Sequence, residues 1–198
     1  TYFSLRYGTY NTEELVKAAV EMGIGALALT NINNTSDAWD FYQHCGTYGI
    51  KPILGAEIRN GDNTCYILLA ANINGFEWIN EFLSHHLQQE IPFPEIADKQ
   101  GFFRHPKDGF VLYPLHKKSP EDLLQNEFIG IQQAYITKLF SFPVKAFRHK
   151  LVVLEPVSFQ DKQRFNAHRL LRPIHHNTLL SKLTLDQQRA ATEIFQPP

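Results

Sequence analysis

Histidine and cysteine side chains are the residues of this chain best suited to bind a metal or attack a substrate, but their spacing favours neither role. His85–His86 are adjacent, so on a helix they point to different faces and cannot easily share one metal ion. His175–His176 follow Pro173 and are predicted to lie in an exposed loop. Cys45 and Cys65 have no C-x-x-C spacing and no cue for activation, so both are expected to be core thiols. Ser-His-Asp arrangements, Gly-rich phosphate loops and Walker motifs are absent from the sequence.

Basic side chains near the end of the chain form a second chemical pattern. Arg164, His168 and Arg172 recur at four-residue spacing, with Arg169 beside them, and so share one face of a predicted helix. This face has two interpretations. It is either a solvated basic surface or a docking surface that contacts phosphates or another protein body.

The elements that must position these residues alternate between strand and helix. Asn11 to Glu14 have the form of a capping box that starts a helix, and Asn60-Gly61 is a hairpin signal. The last helix is predicted to stop near Arg172 because Pro173 follows. Trp39, Phe41 and Tyr42 are expected in the core, with Trp39, Tyr42 and Cys45 on one side of their helix. Predicted helices cover 11–22, 36–48, 75–87 and 161–171, predicted strands 26–30, 52–58, 66–71, 110–113, 128–131 and 151–154, and an irregular loop about 88–106.

This order of elements predicts a single α/β domain, most simply a small barrel. Ligands in such folds bind at the carboxyl ends of the strands. Here those ends are Asn31 to Thr35, Glu57, Tyr113-Pro114 and Glu155 to Phe159.

Bulk composition excludes several classes of protein. The net charge is −1, from 19 Lys+Arg against 20 Asp+Glu, so no domain-wide basic field draws the chain to nucleic acid. No apolar run is long enough to span a bilayer, and two cysteines fit a reducing compartment, so a cytoplasmic location is expected. Both ends of the sequence read as cut, which predicts a fragment of a longer protein.

Four segments carry a resemblance to a known family. They are Gly23 to Asn34 followed by Gly49 to Glu57, the opening Thr1 to Ser4, Leu68 to Phe76, and Phe165 to Arg172. Together they resemble, in order, the N-terminal PHP domain of the bacterial DNA polymerase III alpha subunit, most closely the short Bacteroidetes versions. The resemblance implies a distorted (βα)7 barrel of the PHP type over residues 1–198, with 176–198 as a linker toward the polymerase palm.

Active members of this superfamily hold clustered metals with His, Asp, Glu and Cys ligands, and the resemblance locates those positions here. The first His-x-His motif would precede Thr1. At one of the ligand positions within the chain, Glu57, the residue is the one that the family has. At the others it differs, and these positions are Tyr7, Asn31, Ile32, Cys65, Pro156 and Ser158. Amide, proline and isoleucine side chains are poor or impossible ligands, so no metal site and no catalytic residue are expected.

The resemblance therefore implies a non-catalytic structural module that braces the palm and docks a proofreading exonuclease, within a DNA-directed DNA polymerase whose Mg²⁺ lies in the absent palm. Arg164, His168, Arg169 and Arg172 would be its docking or phosphate-contact face. Two alternatives stay open. One is a residual phosphoesterase that uses Zn or Mn, and the other is an auxiliary DNA-binding module.

Overall fold

A computed structural model describes residues 1–97, 101–133, 136–137, 139, 144–184 and 187–195, in two compact units. The terminal unit is Thr1–Ile53 with Pro156–Pro198, and the central unit is Leu54–Glu155. The helices are α1 (Thr12–Glu21), α2 (Ala38–Tyr48), α3 (Ile73–Gln88), α4 (Val144–Phe147) and α5 (Lys162–His176). The strands are β1 (Ala26–Ile32), β2 (Lys51–Asn60), β3 (Asn63–Ala70), β4 (Gly109–Pro114), β5 (Glu127–Ile131) and β6 (Leu151–Val153). None of the helices in the described ranges has the length and apolar character needed to cross a membrane.

Helix α1 begins at the predicted capping box. The Asn11 side chain accepts from Glu13 N at 2.8 Å, and the Glu14 carboxylate accepts from Asn11 N at 3.3 Å. These bonds satisfy amides that a helix start leaves unpaired. The apolar side chains that α1 buries are Leu15, Val16 and Ala19.

Helix α2 forms where predicted, and the predicted burial is confirmed for Phe41 and Cys45 but wrong for Trp39 and Tyr42. Ala38, Phe41 and Cys45 are buried. Trp39 and Tyr42 are instead 67% and 54% exposed and stack on each other with ring centroids 6.1 Å apart. Aromatic content alone could not separate these residues, because both faces of α2 carry aromatic side chains.

Helix α5 continues through Pro173 to His176, so the predicted stop near Arg172 was wrong and His175–His176 lie in its last turn. Pro173 cannot donate the helical hydrogen bond to Arg169 O, yet α5 continues for three residues beyond it. Asn177 then ends α5 in the left-handed conformation (φ 48°), and Thr178 N donates to Pro173 O at 2.9 Å.

Strands β2 to β6 supply the sheet of the central unit and follow sequence order in it. Strand β3 pairs antiparallel with both β2 and β4, whereas β4–β5 and β5–β6 are parallel. The predicted hairpin is present, with Gly61 (φ 61°) and Asp62 between the paired Asn60 and Asn63. A register shift after Ile58 leaves Cys65 as an extra residue on β3, which is a β-bulge.

The core of the central unit lies between this sheet and α3. Its largest fully buried side chains include Ile58, Tyr66, Leu68, Ile79 and Tyr113. Within the segment predicted to be irregular, about 88–106, the described residues 89–97 and 101–105 have no helix or strand, while Gln88 ends α3 and Pro106 begins a short 3-10 helix. The core therefore fixes β2 and β3, which carry Glu57 and Cys65.

Candidate functional site

Glu57, the position that keeps its predicted ligand identity, is paired with an arginine inside the central unit. Arg59 Nε and Nη2 donate to Glu57 Oε1 at 2.7 and 2.5 Å, and Thr64 Oγ1 donates to the same oxygen at 3.0 Å. The Arg59 and Glu57 side chains are only 4% and 8% exposed. A guanidinium thus supplies the positive charge that a metal ion would otherwise supply to this carboxylate.

Cys65, the other predicted ligand position in the central unit, lies on the β3 bulge. Its Sγ is 3.8 Å from both Asn63 O and Glu95 Oε1. Burial, reinforced by the Glu95 carboxylate, raises the pKa of the Cys65 thiol. The thiolate is the form that binds metals, so this environment disfavours ligation. Both cysteines are buried, which confirms the prediction of core thiols.

Asn31 lies in a buried polar cluster of the terminal unit, at the end of β1. Its Oδ1 accepts from Ser4 Oγ at 3.1 Å, and its Nδ2 donates to Asp37 Oδ1 at 2.5 Å. Asp37 Oδ2 accepts from Thr1 Oγ1 at 2.7 Å and from Thr12 Oγ1 at 2.8 Å. Asn31 and Asp37 are 2% and 1% exposed. The amide nitrogen of Asn31 thus donates to a carboxylate. Its amide oxygen, the atom that could ligate a metal, already accepts a hydrogen bond from Ser4 Oγ.

Asp37 was missed by the sequence reasoning. It is the N-cap residue of α2, yet its side chain makes no capping bond. An Asp before a helix normally predicts a cap, so the sequence signal pointed to the wrong partner. Ile32, the neighbour of Asn31, contributes its backbone N–H to Ser4 Oγ at 3.0 Å, and its side chain has no ligating atom.

Tyr7 fills a predicted ligand position with an aromatic ring. The ring is 4.6 Å from the Arg172 guanidinium carbon and 5.5 Å from that of Arg189. Tyr7 O accepts from His168 Nδ1 at 2.8 Å. Cations placed this close to an aromatic face are held by its quadrupole. Two arginine side chains of the protein therefore lie against Tyr7, whose phenol stands where the resemblance predicts a carboxylate.

Ser158 fills another predicted ligand position and is bonded to a carboxylate that the sequence reasoning missed. Its Oγ donates to Glu193 Oε2 at 2.5 Å, and its backbone N donates to Glu193 O at 2.9 Å. Arg189 forms an ion pair with the same carboxylate at 3.4 Å. Pro156, two residues earlier, is partly buried and has no ligating side-chain atom.

The predicted basic face of α5 requires a correction. His168 and Arg172 are 0% and 2% exposed, so they cannot belong to an exposed docking or phosphate-contact face. His168 Nε2 accepts from Arg189 N at 3.1 Å, and Arg172 Nε donates to Gln187 O at 2.6 Å. These polar side chains can be buried because backbone groups of Tyr7, Gln187 and Arg189 provide their hydrogen-bond partners.

Of the four residues of that predicted face, Arg164 and Arg169 are not fully buried. The Arg164 side chain is 44% exposed and lies 3.6 Å from the Glu14 carboxylate. Arg169 is partly buried. Whether these two arginines contact phosphates or a protein partner stays a prediction.

The residues present do not fit the metal cluster that the resemblance implies. The carboxylate of Glu57 is paired with Arg59, the amide of Asn31 is bonded to Asp37, and Ser158 is bonded to Glu193. Across the described ranges, no three or more His, Cys, Asp or Glu side chains are grouped so that they could hold a metal ion. A multinuclear site needs several deprotonated or anionic ligands directed at one point.

Comparison with known proteins identifies the family. The family model described as the PHP domain matches residues 1–141. The chain is 33% identical over 81 residues to a DNA polymerase III subunit alpha of Buchnera aphidicola from Schizaphis graminum, covering 38% of this chain and 7% of that protein. It is 29% identical over 117 residues to the Pseudomonas aeruginosa subunit, covering 56% and 10%. It is 36% identical over 89 residues to an error-prone DNA polymerase of Symbiobacterium thermophilum, covering 44% and 8%.

The chain thus spans about a tenth of the length of these relatives. Among solved structures, a proposed metal-dependent phosphoesterase from Bifidobacterium adolescentis has a TM-score of 0.35 and 13% identity, covering 87% of this chain and 80% of that one. The Bacteroidetes origin stays a prediction. The family match and the mixed α/β topology confirm the predicted fold class. The chain therefore belongs to the PHP domain family, as its resemblance to the N-terminal PHP domain of DNA polymerase III alpha subunits predicted.

Proposed function

We propose that this chain is a non-catalytic PHP module of a DNA polymerase III alpha-type polypeptide, in which it braces the polymerase palm. The deoxynucleotide transfer of that polypeptide would use carboxylates and Mg²⁺ of the palm, which is outside these 198 residues. A cytoplasmic location follows from this role in replication.

The Glu57–Arg59 ion pair is the observation that carries the proposal. A buried carboxylate that binds Zn or Mn must be free to face the ion, whereas Glu57 Oε1 already accepts two hydrogen bonds from the Arg59 guanidinium and one from the Thr64 hydroxyl. Displacing Arg59 would leave its own charge buried and uncompensated, at a cost of about 3–5 kcal/mol. A scaffold requires the folded core but not the metals, and the core of the central unit is intact.

Metal content and hydrolysis test the proposal directly. The chain is loaded with Zn²⁺ or Mn²⁺, dialysed and analysed for bound metal, then assayed on a phosphodiester and on a primer 3′ end. We expect less than one ion per chain and hydrolysis no faster than in buffer. A PHP domain that retains its ligands is the positive control. The same measurement on a polypeptide extended upstream of Thr1 would cover the position at which the resemblance predicts the first His-x-His motif.

A residual phosphoesterase would give a different result. Two or more ions per chain, with phosphodiester hydrolysis that Glu57→Ala abolishes, would contradict the scaffold role and support the phosphoesterase. Arg59→Ala is the matched variant, because it removes the competing cation and keeps the carboxylate. If Arg59→Ala also binds no metal, the missing ligands rather than the arginine account for the loss.

The family resemblance also implies a proofreading exonuclease as a second partner, and we propose this partner for the assembled polymerase. Gel filtration of the full-length polypeptide with the exonuclease subunit tests it. Co-elution that is lost when residues 1–198 are deleted supports docking through this domain. Co-elution that survives the deletion places the contact elsewhere.

A further inference from the structure

Helix α5 buries two polar side chains and exposes two large aliphatic side chains, alongside exposed polar residues such as Lys162, Arg164 and His175. His168 and Arg172 are 0% and 2% exposed, whereas Leu170 and Ile174 are 60% and 66% exposed. A helix on the surface of a globular protein normally turns its large apolar side chains toward the core. Leu170 and Ile174 depart from this arrangement and expose an apolar patch on α5.

The exposed aliphatic side chains of α5 adjoin each other. Leu170 and Ile174 are four residues apart on the helix, so their side chains are neighbours on its surface. Ala167, one turn before Leu170, is also exposed. Leu179 and Leu180, just beyond the end of α5, are 65% and 42% exposed. Singly scattered apolar residues need no explanation, but a cluster of this kind marks an interaction surface. We refer to Ala167, Leu170 and Ile174 as the α5 aliphatic face.

The charges around this face indicate what kind of partner it fits. Helix α5 carries four Lys or Arg side chains and no Asp or Glu; they are Lys162, Arg164, Arg169 and Arg172. None of the four lies at the centre of the aliphatic face, and the exposed ones, Lys162 and Arg164, are confined to the first turn. A phosphate backbone would require cations at the centre. The complementary surface is therefore an apolar groove with acidic side chains at its rim.

We propose that the α5 aliphatic face docks into such a groove on the polymerase polypeptide that accompanies the PHP domain in its relatives. This inference rests on the proposed function. In the relatives the matched region is 7–10% of the chain, so a large tethered partner is present at high local concentration. Burial of adjacent Leu and Ile side chains gives the apolar anchor that interfaces of this kind use.

Hydrogen exchange of α5 amides tests the proposal without relying on activity. Exchange rates of residues 168–176 are compared in the 198-residue chain and in the full-length polypeptide. Because docking would bury the α5 aliphatic face, we expect exchange to be slower in the full-length polypeptide by about tenfold or more. A tenfold change corresponds to about 1.4 kcal/mol. The double substitution Leu170→Glu with Ile174→Glu should return this ratio to about one. Ile73→Glu is the matched control, because Ile73 is 76% exposed on α3 and outside the face.

The outcomes separate this inference from the proposed function. Equal α5 exchange in both polypeptides, with protection on another surface of residues 1–195, overturns the α5 inference and leaves the bracing role intact. Equal exchange everywhere overturns both. Protection that persists in the double variant assigns docking to a different face. Unchanged exchange of the α1 amides, which belong to the same unit as α5, establishes that the variant still folds.

Discussion

The side-chain amide of Asn31 donates a 2.5 Å hydrogen bond to Oδ1 of Asp37 in the interior of the terminal unit. The same carboxylate accepts from the hydroxyls of Thr1 and Thr12. It therefore connects the first residues of the chain, the start of α1, the end of β1 and the start of α2. A carboxylate joined to neutral donors thus holds these segments together.

Asp37→Ala should lower the free energy of unfolding by about 2–4 kcal/mol, because it leaves buried donors of Asn31 and Thr12 without an acceptor. Urea denaturation measures this change. Asp40→Ala is the control, since Asp40 is exposed on the same helix. Equal effects of the two substitutions would contradict a special role for Asp37.

The Glu57–Arg59 pair predicts strong coupling between two substitutions. Arg59→Met alone should cost about 3–5 kcal/mol of unfolding free energy, because Glu57 is left as an uncompensated buried charge. Adding Glu57→Gln should recover much of that loss. A double-mutant cycle by urea denaturation measures the coupling. Additive effects would show that the ion pair does not compensate the carboxylate.

The sequence predicted which residues occupy the ligand positions, but not what their side chains contact. Asp37 meets Thr12, and Glu193 meets Ser158, through contacts between segments far apart in the chain. Such contacts have no signal in a local pattern. The cap rule even suggested the wrong use for Asp37. A match of motif positions can therefore predict that a ligand is missing, whereas the contacts that surround that position require the tertiary structure.

Helical periodicity correctly grouped His168 with Arg172 but did not show which face of α5 is buried. Both orientations of the helix give the same spacing, and the usual assumption that polar residues face solvent was wrong here. The buried orientation depends on acceptors and donors at Tyr7, Gln187 and Arg189, which only the folded chain brings together. By contrast, the α1 capping box and the Gly61 turn are local, and both were predicted.

His168→Ala should lower the free energy of unfolding by about 2–4 kcal/mol, because it opens a cavity and leaves Tyr7 O and Arg189 N without their partner. Binding to a short DNA duplex at low salt should be unaffected by it, since the side chain is 0% exposed. Arg164→Ala is the comparison, because Arg164 is exposed and should change stability little. A loss of DNA binding in folded His168→Ala would contradict the buried structural role.

Three buried tyrosines predict a loss of stability at alkaline pH. Burial, with smaller contributions led by Asp161, raises the pKa of Tyr10 to about 12, and burial also raises the pKa values of Tyr66 and Tyr113. Each folded-state pKa is above the unfolded value, so the stabilisation is complete below about pH 10 and is lost as the pH rises above it.

Above about pH 10 the unfolded chain releases phenolic protons that the folded chain retains. The unfolding free energy should therefore fall by up to about 1.4 kcal/mol per pH unit for each such tyrosine. Absorbance titration of phenolate should show these three side chains ionising later in the folded chain than in the urea-unfolded chain. In Tyr10→Phe the alkaline slope should become shallower by the contribution of one group. Simultaneous ionisation of all tyrosines near pH 10 in the folded chain would contradict the burial of Tyr10, Tyr66 and Tyr113.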